Sequence, residues 1–207
     1  MAHAYSSNAL LTKKFDLYDF KEQWEESFGK PAKGGIWFIW GRPGNGKTTF
    51  TLMLTKYFTQ FEKVAYNSLE EGFVRTMQLS WQRVGMDEVS NKILLLHRES
   101  IDELKDRLRK KKSPNVIVID SVQYSKMKYA DYTALKDEFQ KKTFIFISHA
   151  DGKLPRGAAA KDMEFDCDVK IHVDKYKAFV HTSRFGGNQK DFVIWEEGAN
   201  KYWNNQI

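Results

Sequence analysis

The sequence predicts an α/β fold: a mostly parallel sheet with helices on both faces and a C-terminal antiparallel hairpin. Three observations carry this. Short, wholly apolar runs such as Ile36-Trp37-Phe38-Ile39-Trp40 and Val116-Ile-Val-Ile119 alternate with amphipathic stretches. A strand apolar at every position is buried on both sides, as in a parallel sheet between two helical layers. A glycine-rich turn, Gly41-Arg-Pro-Gly-Asn-Gly46, separates the first such run from a helix-forming segment. The tail breaks the alternation, with Lys177–Thr182 and Phe192–Trp195 flanking Phe185-Gly-Gly-Asn-Gln in a hairpin pattern.

Each element follows from local chemistry. Phe20, Trp24 and Phe28 recur every fourth residue and share one helical face, with Gly29 and Pro31 ending the helix. This places a short helix in an N-terminal extension, residues 1–33, ahead of a main domain at 34–207. The helix either packs on that domain or binds a partner. Ile36–Trp40 is the first buried strand, and a helix runs from Gly46 to about Phe58. Lys63–Asn67 reads as the second strand. Phe73, Met77, Trp81 and Val84 then line a helix that stops at Gly85, and Ile93–Leu96 is a further strand.

Ser100 and Glu103 form a capping box for a helix with the stripe Ile101, Leu104 and Leu108. It closes on Arg109-Lys-Lys-Lys112, which either compensates the helix dipole or contacts nucleic acid. Val116–Ile119, Phe144–Ile147 and Val169–Val173 complete the strands expected before the tail.

Composition narrows the classes. Of 207 residues, 42% are hydrophobic and 29% charged, which suits a folded globular chain. The net charge of +6 tolerates an anionic partner and does not demand one. The single cysteine, Cys167, excludes an internal disulfide and a paired-cysteine zinc site. No apolar run approaches the ~20 residues of a membrane helix, and the N-terminus lacks the pattern of a secretory signal. The expectation is a cytoplasmic protein with no membrane association.

The chemistry concentrates at Gly41-Arg42-Pro43-Gly44-Asn45-Gly46-Lys47-Thr48, with Thr49 following. The pattern GxxxxGK[ST] between a buried strand and a helix is a phosphate-binding loop. Its glycines let the backbone curl, so that N–H groups and the helix N-terminus face an anion. Lys47 reaches the terminal phosphates of a nucleoside triphosphate, and Thr48 ligates Mg²⁺. Asn115-Val-Ile-Val-Ile-Asp120 supplies the second half, delivering Asp120 to the same sheet edge to hold the metal through water. Hydrolysis needs a further carboxylate to activate water. Glu70 and Glu71, after the second strand, both stand at that edge. One can serve catalysis while the other begins a helix.

The ordered set of phosphate loop, Ser68-Leu-Glu70-Glu71, Ile119-Asp120-Ser-Val-Gln123, Ile147-Ser-His149 and Ser183-Arg184-Phe-Gly186 resembles the RecA-like P-loop ATPase core. Within that family it looks closest to RadA recombinases and DnaB-type replicative helicases. The resemblance implies an ATPase with ATP and Mg²⁺ as ligands and Glu70 as the water-activating base, Glu71 being the alternative. It places His149 in a polar sensor position, though a histidine after a strand can equally be structural. It implies that the Asp151–Met163 loop, with Lys153, Arg156 and Lys161, faces single-stranded DNA, against the plain alternative of a solvated loop. It further implies a homo-oligomer in which Arg184, at a hairpin tip, completes a neighbour's site. Thr182 stands where the family often carries lysine, and the chain carries no recognisable zinc segment, helicase N-terminal domain or protease-like tail.

The favoured function is thus ATP hydrolysis in DNA replication, recombination or repair, of a kind suited to a phage or mobile-element factor with a replication or recombination protein partner. The alternative is a nucleotide-gated binding module with slow or no hydrolysis. A small P-loop kinase fits the size but lacks an arginine-rich lid.

Overall fold

Ile36 to Gly41 are buried without exception, and this strand, β1, lies inside a nine-stranded sheet ordered β3-β2-β4-β5-β1-β7-β8-β9, with β6 paired to β5. The computed structural model describes residues 4–203. Residues 1–3 and 204–207, the ends of the two units expected from the sequence, lie outside the described residues.

The strands are β1 (Ile36–Gly41), β2 (Val64–Ser68), β3 (Ile93–His97), β4 (Val116–Asp120), β5 (Thr143–Asp151), β6 (Leu154–Pro155), β7 (Val169–Asp174), β8 (Lys177–Ser183) and β9 (Phe192–Val193). Pairing is parallel from β3 through β2, β4, β5 and β1 to β7. It is antiparallel where β8 follows β7, β9 follows β8 and β6 follows β5. The helices are α1 (Ser7–Thr12), α2 (Glu22–Phe28), α3 (Lys47–Phe58), α4 (Arg75–Val84), α5 (Ile101–Arg109), α6 (Val122–Ser125), α7 (Tyr129–Glu138), α8 (Ala158–Asp166) and α9 (Glu196–Trp203).

Two cores sandwich the sheet, because successive side chains of a strand point to opposite faces. Trp37 and Ile39 of β1 join Phe50, Leu54 and Phe58 of α3 on one side. Ile36, Phe38 and Trp40 join Leu104 of α5, Tyr132 of α7 and Met163 of α8 on the other. The apolar runs of the sequence therefore have no polar face to show.

The N-terminal helix packs on the domain. Tyr18, Phe20, Trp24 and Phe28 belong to the same core as β1 and α3. Phe28 meets Trp37 at 4.9 Å between ring centroids, and Trp24 stacks on Tyr57 at 4.8 Å. Such aromatic pairs add about 0.5–1.5 kcal/mol beyond their area burial.

Three expectations change. Phe73 lies ahead of α4 and is 80% exposed, so the buried face of that helix starts at Met77. The segment Asp151–Met163 is not a plain loop: β5 continues past His149, turns into β6, and α8 begins at Ala158. The tight hairpin is β7–β8, turning at Lys175-Tyr176, whereas β8 and β9 pair only at Lys177↔Val193 and Ala178↔Phe192. Arg184 is consequently not at a hairpin tip. It follows the far end of β8, where its N–H donates to Asp168 O. The connection from there to β9 lies on α2, with Asn188 N donating to Glu26 O and Ser27 Oγ to Lys190 O.

Candidate functional site: a phosphate loop with a carboxylate edge

The phosphate loop occupies the C-terminal edge of β1. Gly44 and Gly46 hold φ of +78° and +99°, conformations that residues with a Cβ rarely adopt. Gly46 caps α3 without a side-chain bond, so the first N–H groups of that helix have no helical acceptor and face the loop. Asn45 anchors the loop sideways, donating Nδ2–H to Asp174 Oδ1 at 2.7 Å. Lys47 Nζ donates to Arg42 O at 3.0 Å. Burial holds the Lys47 ammonium below the usual lysine range, against the pull of Asp120 and Glu70.

Asp120 ends β4 only 8% exposed. Burial pushes its carboxyl up to about 6, although the Tyr66 hydroxyl donates to Oδ2 at 2.7 Å and opposes the shift. The Asp120–Ser121 peptide is cis. Leu69 and Glu70 donate their N–H groups to Asp120 O, at 2.6 and 3.1 Å. The connection after β2 is thereby pinned to the end of β4.

That pinning separates the two glutamates. Glu70 Oε2 lies 2.8 Å from His149 Nε2, and the Ser121 hydroxyl donates to it at 3.4 Å. Glu71 turns the other way and accepts from Thr76 Oγ1 at 2.6 Å, at the start of α4. Glu70 therefore shares an edge with Lys47, Asp120 and His149, while Glu71 serves the helix. The sequence left this register open. Spacing could not settle it, because the deciding bonds come from β4.

Several supporting residues were invisible to motif reasoning. Arg98, after β3, donates from Nη2 to Glu70 O and Glu71 O at 3.1 and 3.2 Å. His97 Nδ1 accepts from Phe73 N at 2.9 Å. Gln123 joins β4 to the end of β5, accepting from His149 N and donating to Ser148 Oγ and Arg156 O. These bonds fix the connections carrying Glu70 and Arg156. No periodicity announces them.

The sites expected beyond this edge are placed as follows. Lys153, Arg156 and Lys161 are all exposed, on the β5–β6 turn, beside β6 and on α8. Arg184 stands level with Ile36 at the start of β1, its Nη1 3.4 Å from Asp168 Oδ1. It is a strand length from its own phosphate loop, ~17–20 Å at the rise of a β-strand. Its partner is Asp168, not the Asp191 carboxylate near it in sequence.

Among the described residues no cluster of three His, Cys, Asp or Glu is arranged around a metal. Mg²⁺ does not require one, since it keeps several waters and takes one or two protein ligands beside substrate phosphates. Asp120 Oδ2 is occupied by Tyr66, and Thr48 opens α3 half-buried in the same cleft. This donor set fits Mg²⁺. The cleft over the loop measures about 890 Å³ and is lined by Lys47, Thr48, Met53, Arg83, Tyr176 and Trp195 among others.

Two solved structures superpose on most of the chain. The KaiC-like protein PH0186 of Pyrococcus horikoshii OT3 matches with a TM-score of 0.66 and 19% identity, over 86% of this chain and 93% of that one. The flagellar accessory protein FlaH of Methanocaldococcus jannaschii matches with a TM-score of 0.61 and 15% identity, over the same shares. The fold is that of the RecA-like P-loop ATPases. In sequence, DNA repair protein RadA of Aquifex aeolicus (strain VF5) is 34% identical over 96 residues, 46% of this chain. The chain spans only 20% of that relative's length. No protein-family model matches. Cys167 is free and buried, its thiol pushed up to about 12 by burial, and among the described residues no helix is long and apolar enough to cross a membrane.

Proposed function

We propose that the protein is a Mg²⁺-dependent ATPase acting on DNA, with Glu70 as the base that activates water. The observation carrying this reading is the convergence of Lys47, Asp120, Glu70 and His149 on the sheet edge that bears the phosphate loop. Lys47 and the α3 N-terminus hold the phosphates. Asp120 and Thr48 hold Mg²⁺, which supplies charge neutralisation on the phosphate oxygens. Glu70 orients water and accepts its proton. His149, bonded to Glu70 and followed by the strand leading to Arg156, links the state of the site to the exposed basic segment.

Lys153, Arg156 and Lys161 form the DNA contact of this reading, a charge surface for a single-stranded backbone. The partial likeness to RadA supports a role in recombination, repair or replication. A phage or mobile-element origin and a replication or recombination partner suit a chain of this size. Arg184 acts on a neighbouring copy, because its own nucleotide lies at the opposite edge of the sheet. The protein works in the cytoplasm as a homo-oligomer.

One observation favours the slower alternative, a nucleotide-gated binding module. Glu70 Oε2 is held by His149 and Ser121 in the nucleotide-free protein, so the base must release a partner before it takes a proton.

ATPase rate measured with and without single-stranded DNA tests the reading. The expected result is turnover abolished in Lys47→Ala and stimulated by DNA in the wild type. Stimulation should fall in the Lys153/Arg156/Lys161 triple alanine variant, with a log–log salt slope reduced by about 0.7 per lost phosphate contact. Turnover unchanged in Lys47→Ala defeats the ATPase reading. An unaltered salt slope in the triple variant acquits the basic segment.

A further inference from the structure

The phosphate-loop motif accounts for one end of a larger cleft. Its other end is built from parts far apart in the chain. Met53 of α3 and Ser80, Arg83 and Val84 of α4 line one side; Tyr176, Ile194 and Trp195 line the other. A triphosphate occupies the loop end, and the remaining volume is apolar and aromatic.

The aromatic side is held to the loop by its backbone. Tyr176 N donates to Asn45 O at 3.1 Å, and Ile194 N donates to Tyr176 O at 2.9 Å. A Cβ at Gly46 would stand 3.4 Å from both the Tyr176 ring and Ile194, so glycine there lets this wall meet the phosphate loop. Trp195 sits edge-on to Tyr176, with 5.0 Å between centroids and 84° between planes. Gly198 of α9 seats both rings, since a Cβ there would overlap Trp195 and Tyr176. Lys201 Nζ lies 5.7 Å from the centroid of Trp195, yet Trp195 keeps 45% of its surface open in the cleft it lines.

The turn itself is an oddity. Lys175 and Tyr176 both hold positive φ, +46° and +63°. A two-residue turn of this kind favours Asn-Gly, and left-handed conformations in other residues cost about 1–3 kcal/mol each. A tyrosine retained there keeps its ring beside the phosphate loop at the expense of the backbone.

We propose that Trp195 and Tyr176 form the nucleobase subsite of the same chain's phosphate loop, a stacking platform that takes a purine largely without reading its edge. Beyond the loop, the polar side chains lining the cleft are Ser80 and Arg83. Stacking therefore dominates, and ATP and GTP bind within about tenfold of each other, both ahead of pyrimidine nucleotides with their smaller π-face. This rests on the nucleotide reading above and refines it.

The test compares affinity for Mg²⁺-ATP with affinity for inorganic tripolyphosphate, which has the phosphates without the base. Trp195→Ala should weaken ATP about 5- to 150-fold, as loss of one base–aromatic stack does, and leave tripolyphosphate unchanged. Trp195→Phe should retain most ATP affinity. Tyr176→Asn keeps a side chain that tolerates the left-handed turn; it should preserve the thermal midpoint while weakening ATP alone. ATP affinity unchanged in Trp195→Ala overturns the subsite, and so does an equal loss for both ligands, which marks the wall as structural. If the wild type binds neither ligand, the nucleotide reading fails and takes the subsite with it.

Discussion

At the scale of single residues, Asp120 shows what a functional carboxylate costs a fold. Its acid constant is raised by burial to about 6 from an ordinary 3.8. Between those values the folded state holds the proton more tightly than the unfolded one. Stability accordingly falls as pH rises through that window and stays lower above it, by up to about 2–3 kcal/mol. Asp120→Asn keeps an acceptor for the Tyr66 hydroxyl and removes the buried charge. The variant should unfold at higher denaturant than wild type at pH 7–8 without nucleotide, with the advantage vanishing near pH 4, and should lose Mg²⁺-dependent turnover. Denaturant midpoints across pH check this. An Asn variant less stable at pH 7.5 contradicts it.

At the scale of elements, what the sequence hid is as instructive as what it showed. The central strands were legible because a double-sided core demands unbroken apolar runs, and α5 because Ser100 and Glu103 form the reciprocal box that their spacing announces. Helix α7 escaped notice: its buried residues are only Tyr132 and Leu135, within the mixed sequence YADYTALKDE. Helix α8 hid behind Ala158-Ala-Ala160, whose small side chains signal a helix weakly. The Lys175-Tyr176 turn lacks turn residues, so the hairpin was assigned one strand too late and Arg184 was placed at its tip. Of the site, the phosphate loop and Asp120 were readable as local patterns. The choice of Glu70 over Glu71, and the grip of Arg98 on both, depend on strands brought together from distant sequence. Arg98 positions the connection after β2 and touches no nucleotide. Arg98→Ala should lower kcat by about tenfold, toward the ~10²-fold that a 1 Å misplacement can cost, with ATP affinity unchanged. In a Glu70→Gln background it should add little, since residues acting as a unit are non-additive. A full additional loss there would show that Arg98 acts elsewhere.

At the scale of the whole molecule, the two ends of the sheet carry complementary halves of the proposed assembly. The C-terminal edge holds the phosphate loop and its carboxylates; the opposite edge holds Arg184, 56% exposed in its side chain and in a long contact with Asp168. An exposed pair of this kind contributes little to stability, which leaves the guanidinium available to a neighbour's phosphates. Mixing inactive Lys47→Ala with inactive Arg184→Ala should restore activity at shared sites. Normal hydrolysis by Arg184→Ala alone, at every protein concentration with or without DNA, rules the shared site out.

The central claim is that Glu70, set between Asp120 and His149, is the base of an ATPase. Single-turnover hydrolysis of Mg²⁺-ATP by wild type, Glu70→Gln and Glu71→Gln tests it most directly, with ATP affinity measured alongside. The account predicts a loss of about 10²–10⁴-fold in Glu70→Gln at unchanged affinity, and a near-normal rate in Glu71→Gln. A wild-type rate in Glu70→Gln, or the large loss appearing in Glu71→Gln instead, would contradict it.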